Sequence, residues 1–367
     1  MDQIKEAYER AVAVLHLCAT SHGFNAAYPG YNALWARDAV ITSLGASLLD
    51  DTFQETIKQS LNALAHHQSE RGQIPNAIDT WSDRRPHTDF TTIDSTLWFL
   101  IGHAVYKKRY QENSLEKLQR KNIAQALLWL SYQDMSEDGM FEQLPTSDWQ
   151  DAFPHRYGHT INTQALAYKV LRLYRKHTAA EKLKQAANNR EGTKLWGTTY
   201  YLPWRWKNHN RYHELGKWFD SLGNILAILF DLADRKQALA IFNYIDQEKI
   251  NKPYPVRAID PPIRKGTRDW QDYYLDCDAR TPYHYLNAGI WPFIGGFYIL
   301  ALVKYHYFKE AAYYLEKLAE ANMKENGNFS EWLHGTTGKP SKGGNQAWNA
   351  GMYILAYHSL KRRRCLV

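Results

Sequence analysis

Cysteine is scarce: the 367 residues hold three, Cys18, Cys277 and Cys365. They are far apart, odd in number and without metal-ligand spacing, which excludes a disulfide framework or a zinc site and fits a reducing compartment. Long apolar runs are also missing, so no segment is expected to span a membrane. The N-terminal stretch MDQIKEAYERAVAVLHLCA reads as an amphipathic helix with acids in its first half rather than as a signal peptide. Cys365-Leu366-Val367 falls one residue short of a prenylation box. A cytoplasmic protein is expected. The net charge of +7 has no focus beyond Lys361-Arg362-Arg363-Arg364, and with no basic helix or recognised module nucleic acid is not an expected partner. No metal or cofactor is expected either, and homo-oligomerisation is left open.

Strand patterns of any length are lacking as well. Apolar periodicity instead predicts helices near 2–19, 35–49, 52–68, 92–109, 115–133, 159–176, 178–189, 219–231, 233–245, 288–306, 308–325 and 345–361. The links alternate. Those around Asp50, Gln111, His177, Leu232 and Tyr307 are short, whereas the others are long and rich in Gly, Pro and aromatics. Short links make antiparallel neighbours, so the long loops emerge on one side. The expected fold is all-α, an (α/α)6 toroid in which alternate helices converge on a central funnel. The chain, 1–367, is expected to form one catalytic domain.

Aromatics are abundant, with 13 Trp and 25 Tyr, many in loop-like stretches such as residues 195–213. Ring faces beside polar groups suit a sugar, which has an apolar face and a hydroxyl rim. The starts of the alternate helices carry the chemistry: Trp35, Arg37 and Asp38 at the second, Asp94 at the fourth, and Asp148, Trp149, Asp151, His159 and Gln164 at the sixth. Asp220 follows at the eighth, His284, Asn287 and Trp291 at the tenth, and Glu331, Trp332 and Gln346 at the last. Each also has a plain structural reading: Arg37 and Asp38 as a local ion pair, Asp94 and Asp220 as helix caps, Asp148 or Asp151 as a turn cap, His284 as a loop filler. Asp151 and Glu331 both precede helices that face the funnel. Two carboxyls across a sugar ring, about 6.5–9.5 Å apart, are the machinery of an inverting glycosidase.

Five segments, in order over most of the chain, resemble the alkaline/neutral invertase family and, more distantly, the (α/α)6 clan of trehalases, processing α-glucosidases and amylo-α-1,6-glucosidases. They are LWARDAVITSLG, IDSTLWFLIGHAVYK, the run from Asp151 through RYGHTINTQAL, YLNAGIWP, and FSEWLHGTTGK followed by QAWNAG. The resemblance implies that Asp151 is the general acid and Glu331 the general base. It further implies that Arg37, Asp38, Asp94, Gln164, Asn287 and Trp291 look toward a glucosyl subsite. Asp148 is a rival acid, because debranching-type relatives carry a D-W-x-D arrangement. The invertase D-R-R-M reads Asp151-Ala152-Phe153-Pro154 here, and Y-H-N-G-G reads Tyr285-Leu286-Asn287-Ala288-Gly289. The expected activity is metal-free inverting hydrolysis of a small α-glucoside, sucrose leading and α-1,6-linked or other α-glucosides next. A sugar epimerase using His155, His159 and His284, or a sugar-binding protein with a decayed site, are the alternatives.

Overall fold

A computed structural model of the chain describes residues 3–79, 87–209 and 212–367. Asp2, the expected first residue of the first helix, and residues 210 and 211 of the aromatic stretch lie outside the described residues. Among those described there are fourteen α-helices: α1 (Gln3–Cys18), α2 (Ala36–Ala46), α3 (Gln54–His66), α4 (Asp94–Tyr110), α5 (Ser114–Leu118), α6 (Arg120–Ser131), α7 (Ile161–Leu173), α8 (His177–Asn188), α9 (Ser221–Leu229), α10 (Arg235–Gln247), α11 (Pro292–Lys304), α12 (Phe308–Asn322), α13 (Lys324–Gly327) and α14 (Ala347–Lys361). None of them is long and apolar enough to cross a membrane.

Sequence sorts the helices into two kinds. Every residue of α2 and α9, and all of α11 except Lys304, is buried, as a helix that is apolar all round must be. By contrast α8 buries only Ala180, Leu183, Ala186 and Ala187 along one stripe. These helices and the largely buried α4, α7 and α14 form a closed circle: α2 packs on α4, α4 on α7, α7 on α9, α9 on α11, α11 on α14, and α14 back on α2. The striped kind lies outside, with α3 against α2 and α4, α6 against α4, α8 against α7, and α12 against α11 and α14.

The circle closes where two glycines meet. A Cβ on Gly45 of α2 would stand 1.8 Å from the carbonyl oxygen of Gly351 of α14. Neither backbone can yield without moving a whole helix. Gly45→Ala is therefore expected to destabilise the protein at or beyond the upper end of the ~1–3 kcal/mol range for overpacking, seen as a lower denaturation midpoint; an unchanged midpoint would contradict this packing.

Three of the inner helices start directly from two-residue strands. Leu34–Trp35 precedes α2 and pairs with Ala77–Ile78; His159–Thr160 precedes α7 and pairs with Trp204–His209; Phe219–Asp220 precedes α9 and pairs with Ile259–Asp260. These pairs supply backbone partners where the ladder of a helix begins, and so fix the direction in which each junction leaves its loop. The strands Trp204–His209 and Tyr212–Leu215 also fall in the aromatic stretch that the sequence reading left as loop.

Two helix expectations change. The segment 115–133 is broken at Gln119, whose buried side chain reaches inward to bond His103 Nε2 at 2.9 Å and Asn62 Oδ1 at 2.7 Å. The helix expected from 288 starts at Pro292, because proline is suited to the first helical position and Tyr285 and Ala288 before it have positive φ.

Candidate active site

The starts of α2, α11 and α14 and the loops before α7 and α14 surround a chamber of about 190 Å³. Trp35, Arg37, Asp38, Trp149, Asp151, Trp291, Glu331 and Gln346 line it, all residues expected from the sequence. Ala26, Tyr31, Tyr285 and Trp348 complete the wall. The aromatic part is rigid: Trp149 meets Trp291 edge-on at 5.6 Å, and Trp348 stacks on Phe293 at 4.1 Å.

Arg37 anchors the polar side. Its Nη1 donates to both oxygens of Asp94, at 3.0 and 3.2 Å, while its Nη2 stands 3.6 Å from Asp151 Oδ2. Burial pushes the Asp94 carboxyl up, against the pull of Arg37. Asp151 is also raised by burial, with Arg37 opposing and Asp148 adding to the rise. Asp38 and Glu331 are each raised to about 7, first by burial. For Glu331 the charges of Asp38, Asp151 and Asp278 add to the effect. These carboxyls therefore feel one another across the chamber, which is how a site holds one protonated and one ionised carboxyl near neutral pH. Tyr285 is raised by burial and then by Asp151 and Glu331, so its hydroxyl stays protonated beside both.

The backbone flanking Glu331 is held on both sides. Ser330 O accepts from Asn349 Nδ2 at 2.8 Å, Trp332 N donates to Ser341 Oγ at 3.3 Å, and Leu333 pairs with Ile290.

Eight expected site residues do not line this chamber. Asp94 is spent on Arg37 from behind. Asp148, fully buried, accepts from Arg156 Nη2 at 2.7 Å, Gln143 Nε2 at 3.0 Å and Gln150 N at 2.9 Å. Asp220 takes Arg156 Nη1 and caps α9 through Gly223 N at 3.1 Å. Gln164 bonds both N and O of Phe141, and Asn287 bonds N and O of Ile263, each satisfying a loop backbone. His159 is buried 3.6 Å from Asp138 and Glu142. His284 and Trp332 belong to a second, outer chamber, as described below. His155 turns away to the Tyr273 hydroxyl at 3.0 Å. None of the three histidines considered for epimerisation thus lines the inner chamber. Among the described residues no group of three or more His, Cys, Asp or Glu is placed to hold a metal ion.

The outer chamber, about 670 Å³, shares Tyr31, Tyr285 and Glu331 with the inner one and adds Asp278, His284, Trp332, His334, Lys339, Pro340, Ser341 and Lys342. A separate groove of about 550 Å³ between α6, α7 and α8 is mostly apolar, lined by Leu127, Leu130, Phe141 and Val170, and brings no pair of carboxyls together.

A family model described as amylo-alpha-1,6-glucosidase matches residues 11–356. The chain belongs to this family. It is a glycoside hydrolase, and the match supports the wider glucosidase clan rather than the invertases, whose D-R-R-M and Y-H-N-G-G runs it does not keep. The structure of this amylo-alpha-1,6-glucosidase family member is similar to that of a GH63 mannosylglycerate hydrolase from Thermus thermophilus, with TM-score 0.72 and 13% identity over 95% of this chain and 99% of the other. A wild-type glycosidase is similar with TM-score 0.69 and 13% identity, covering 98% and 97% of the two chains. No curated protein sequence matches the chain significantly.

Residues that sequence reasoning left out of the site of this family member have two origins. Tyr31, Tyr285 and Trp348 sit within a few positions of named residues in the same junctions, so the segments themselves were the signal. His334 and Lys339 lie in the quoted segment FSEWLHGTTGK, whereas Asp278 and Lys342 come from aperiodic stretches and had none.

The pH profile follows from the carboxyls. Raised values mean that the folded chain keeps protons the unfolded chain has lost between about pH 4 and 7, so stability contributed by these groups falls as pH rises through that window. For turnover, kcat/KM is expected to be bell-shaped with its alkaline limb near 7. Asp38→Asn removes a like charge from Glu331 and is expected to move that limb to lower pH; a stationary limb in the kcat/KM profile would refute the coupling.

Proposed function

We propose that the chain is a single-domain (α/α)6 inverting α-glucosidase in which Asp151 is the general acid and Glu331 the general base. The observation that carries this reading is that these two carboxyls, alone among the carboxylates of the loops before α7 and α14, reach one small chamber walled by Trp35, Trp149, Trp291 and Trp348. The closed circle of six buried helices inside a striped outer set supports the toroid. Aromatic faces bind the apolar side of a pyranose, while Arg37, Asp38 and Gln346 face its hydroxyl rim.

Asp148 is an unsuitable acid because its oxygens are committed to Arg156, Gln143 and a backbone amide. Asp151, at 31% exposure of its side chain, is open to the chamber. In the reaction the Asp151 proton passes to the glycosidic oxygen as its bond to the anomeric carbon breaks, and Glu331 takes a proton from the water attacking the opposite face. With the family match in support, the reading ranks α-1,6-linked glucosides first among substrates, ahead of sucrose and other small α-glucosides. An NMR time course with isomaltose, sucrose, maltose and trehalose is expected to show β-glucose as the first anomer from at least one. Release of α-glucose first would overturn inversion, and no release from any would overturn the α-glucosidase reading.

A further inference from the structure

We infer that the outer chamber receives the leaving group and that the leaving group it favours is anionic, a short alcohol bearing a carboxylate or phosphate. This rests on the glycosidase reading of the inner chamber. The two chambers meet at Tyr31, Tyr285 and Glu331, and the outer one reaches solvent at the exposed Lys339 and Lys342. A sugar ring held against the inner tryptophans therefore projects its substituent past Tyr285 into the outer space.

The outer wall is built rather than loose. Residues 332–341 fold back on themselves: His334 N donates to Lys339 O at 2.8 Å, Gly338 N to His334 O at 2.9 Å, and Ser341 N to Trp332 O at 2.9 Å. Leu333 and Pro340 form a bridge across the same loop. This loop presents donors. His334 Nδ1 accepts from the backbone amides of Thr336 and Thr337, at 3.2 and 3.3 Å, so the ring proton of neutral His334 sits on Nε2. The His284 ring packs edge-on against it at 5.0 Å.

Lys339 and Lys342 add two ammonium groups, and among the described residues neither has a carboxylate within salt-bridge distance. The acids of this chamber are Glu331, shared with the inner one, and the exposed Asp278, whose charge reaches Glu331. A neutral polyol needs donors and acceptors in similar number. Beyond Glu331 the outer chamber sets two ammonium groups and two histidines against one carboxylate, Asp278, an excess of donors and positive charge that an anion satisfies.

The test compares substrates that share the sugar and a three-carbon aglycone and differ in its terminal group: α-glucosylglycerate, α-glucosylglycerol 3-phosphate and neutral α-glucosylglycerol, with the α-mannosyl set alongside. The expected result is a kcat/KM at least about tenfold higher for an anionic member, a preference that shrinks with added salt and collapses toward one in Lys339→Gln/Lys342→Gln. Whichever anion leads, carboxylate or phosphate, names the group. Hydrolysis of the neutral substrate at equal or higher kcat/KM would overturn the inference and leave the glycosidase reading intact.

If no glycoside is cleaved, calorimetry with free glycerate, glycerol 3-phosphate and glycerol decides. Binding of an anion, but not of glycerol, that is lost in the double variant supports the anion site while the hydrolytic reading falls. Absence of anion binding overturns the inference.

Discussion

Asp151→Asn is expected to lower kcat on an unactivated glucoside by about 10²–10⁴-fold, the usual worth of a positioned general acid or base. The thermal midpoint should change little, since Asp151 makes only the 3.6 Å approach to Arg37 and no other ion pair among the described residues. The variant should recover activity on α-glucosyl fluoride, whose departing fluoride needs no proton. Glu331→Gln should be inactive on both substrates, because the attacking water still needs a base. The comparison also tests the direction of proton flow. In the open chamber Glu331 holds its proton up to about 7, while Arg37 opposes the rise of Asp151. The assigned roles therefore require the bound glycoside, with its bridging oxygen against Asp151, to reverse that order. Fluoride rescue in Glu331→Gln and not in Asp151→Asn would exchange the two roles.

The second large effect is structural. Arg156 is fully buried between Asp148 and Asp220, themselves fully buried, and it ties the loop that carries Asp151 to the start of α9. Arg156→Met keeps much of the apolar volume but strands two carboxylates away from water. The expected loss is about 3–5 kcal/mol, read as a lower urea midpoint. The triple variant Arg156→Met/Asp148→Asn/Asp220→Asn should regain a substantial part of it, because amides can keep the bonds to Gln150 N and Gly223 N without a charge. No recovery would mean that Arg156 acts through packing rather than through charge.

The helices were legible because their signal is a period. Ten of the twelve expected segments correspond to single helices, the exceptions being 115–133, which holds α5 and α6, and 308–325, which holds α12 and the start of α13; the alternation of short and long links was the signal for the inner and outer sets. Site residues have no period. Reading Ser147 to Gln164 places Asp148 and Asp151 on one loop but not the direction of either side chain, and three residues of irregular backbone separate a carboxyl locked to Arg156 from one facing the chamber.

Gln164 and Asn287 show a second limit. An amide that could hold a sugar hydroxyl is equally able to bind the N–H and C=O of a passing loop, and here both do the latter. Asp94 bonds Arg37 and Asp220 bonds Arg156, and Asp220 caps α9 as its plain structural reading had it. The outer chamber depends on a loop whose backbone folds on itself, and nothing in its order of residues marks Lys339 and His334 as facing the same space.

The closing contact between α2 and α14 also governs when the site comes into being. Neighbouring inner helices from α2 to α11 can pack as the chain is synthesised, since each follows its partner after a few tens of residues. The seam at Gly45 and Gly351, by contrast, joins backbone more than three hundred residues apart. Gln346 and Trp348, two walls of the inner chamber, lie on the far side of that seam. A ribosome-bound chain that has already displayed Arg37, Asp38 and Asp151 therefore has part of the chamber's polar wall but no enclosed chamber, with the apolar faces of α2 and α11 uncovered until the last inner helix emerges from the exit tunnel.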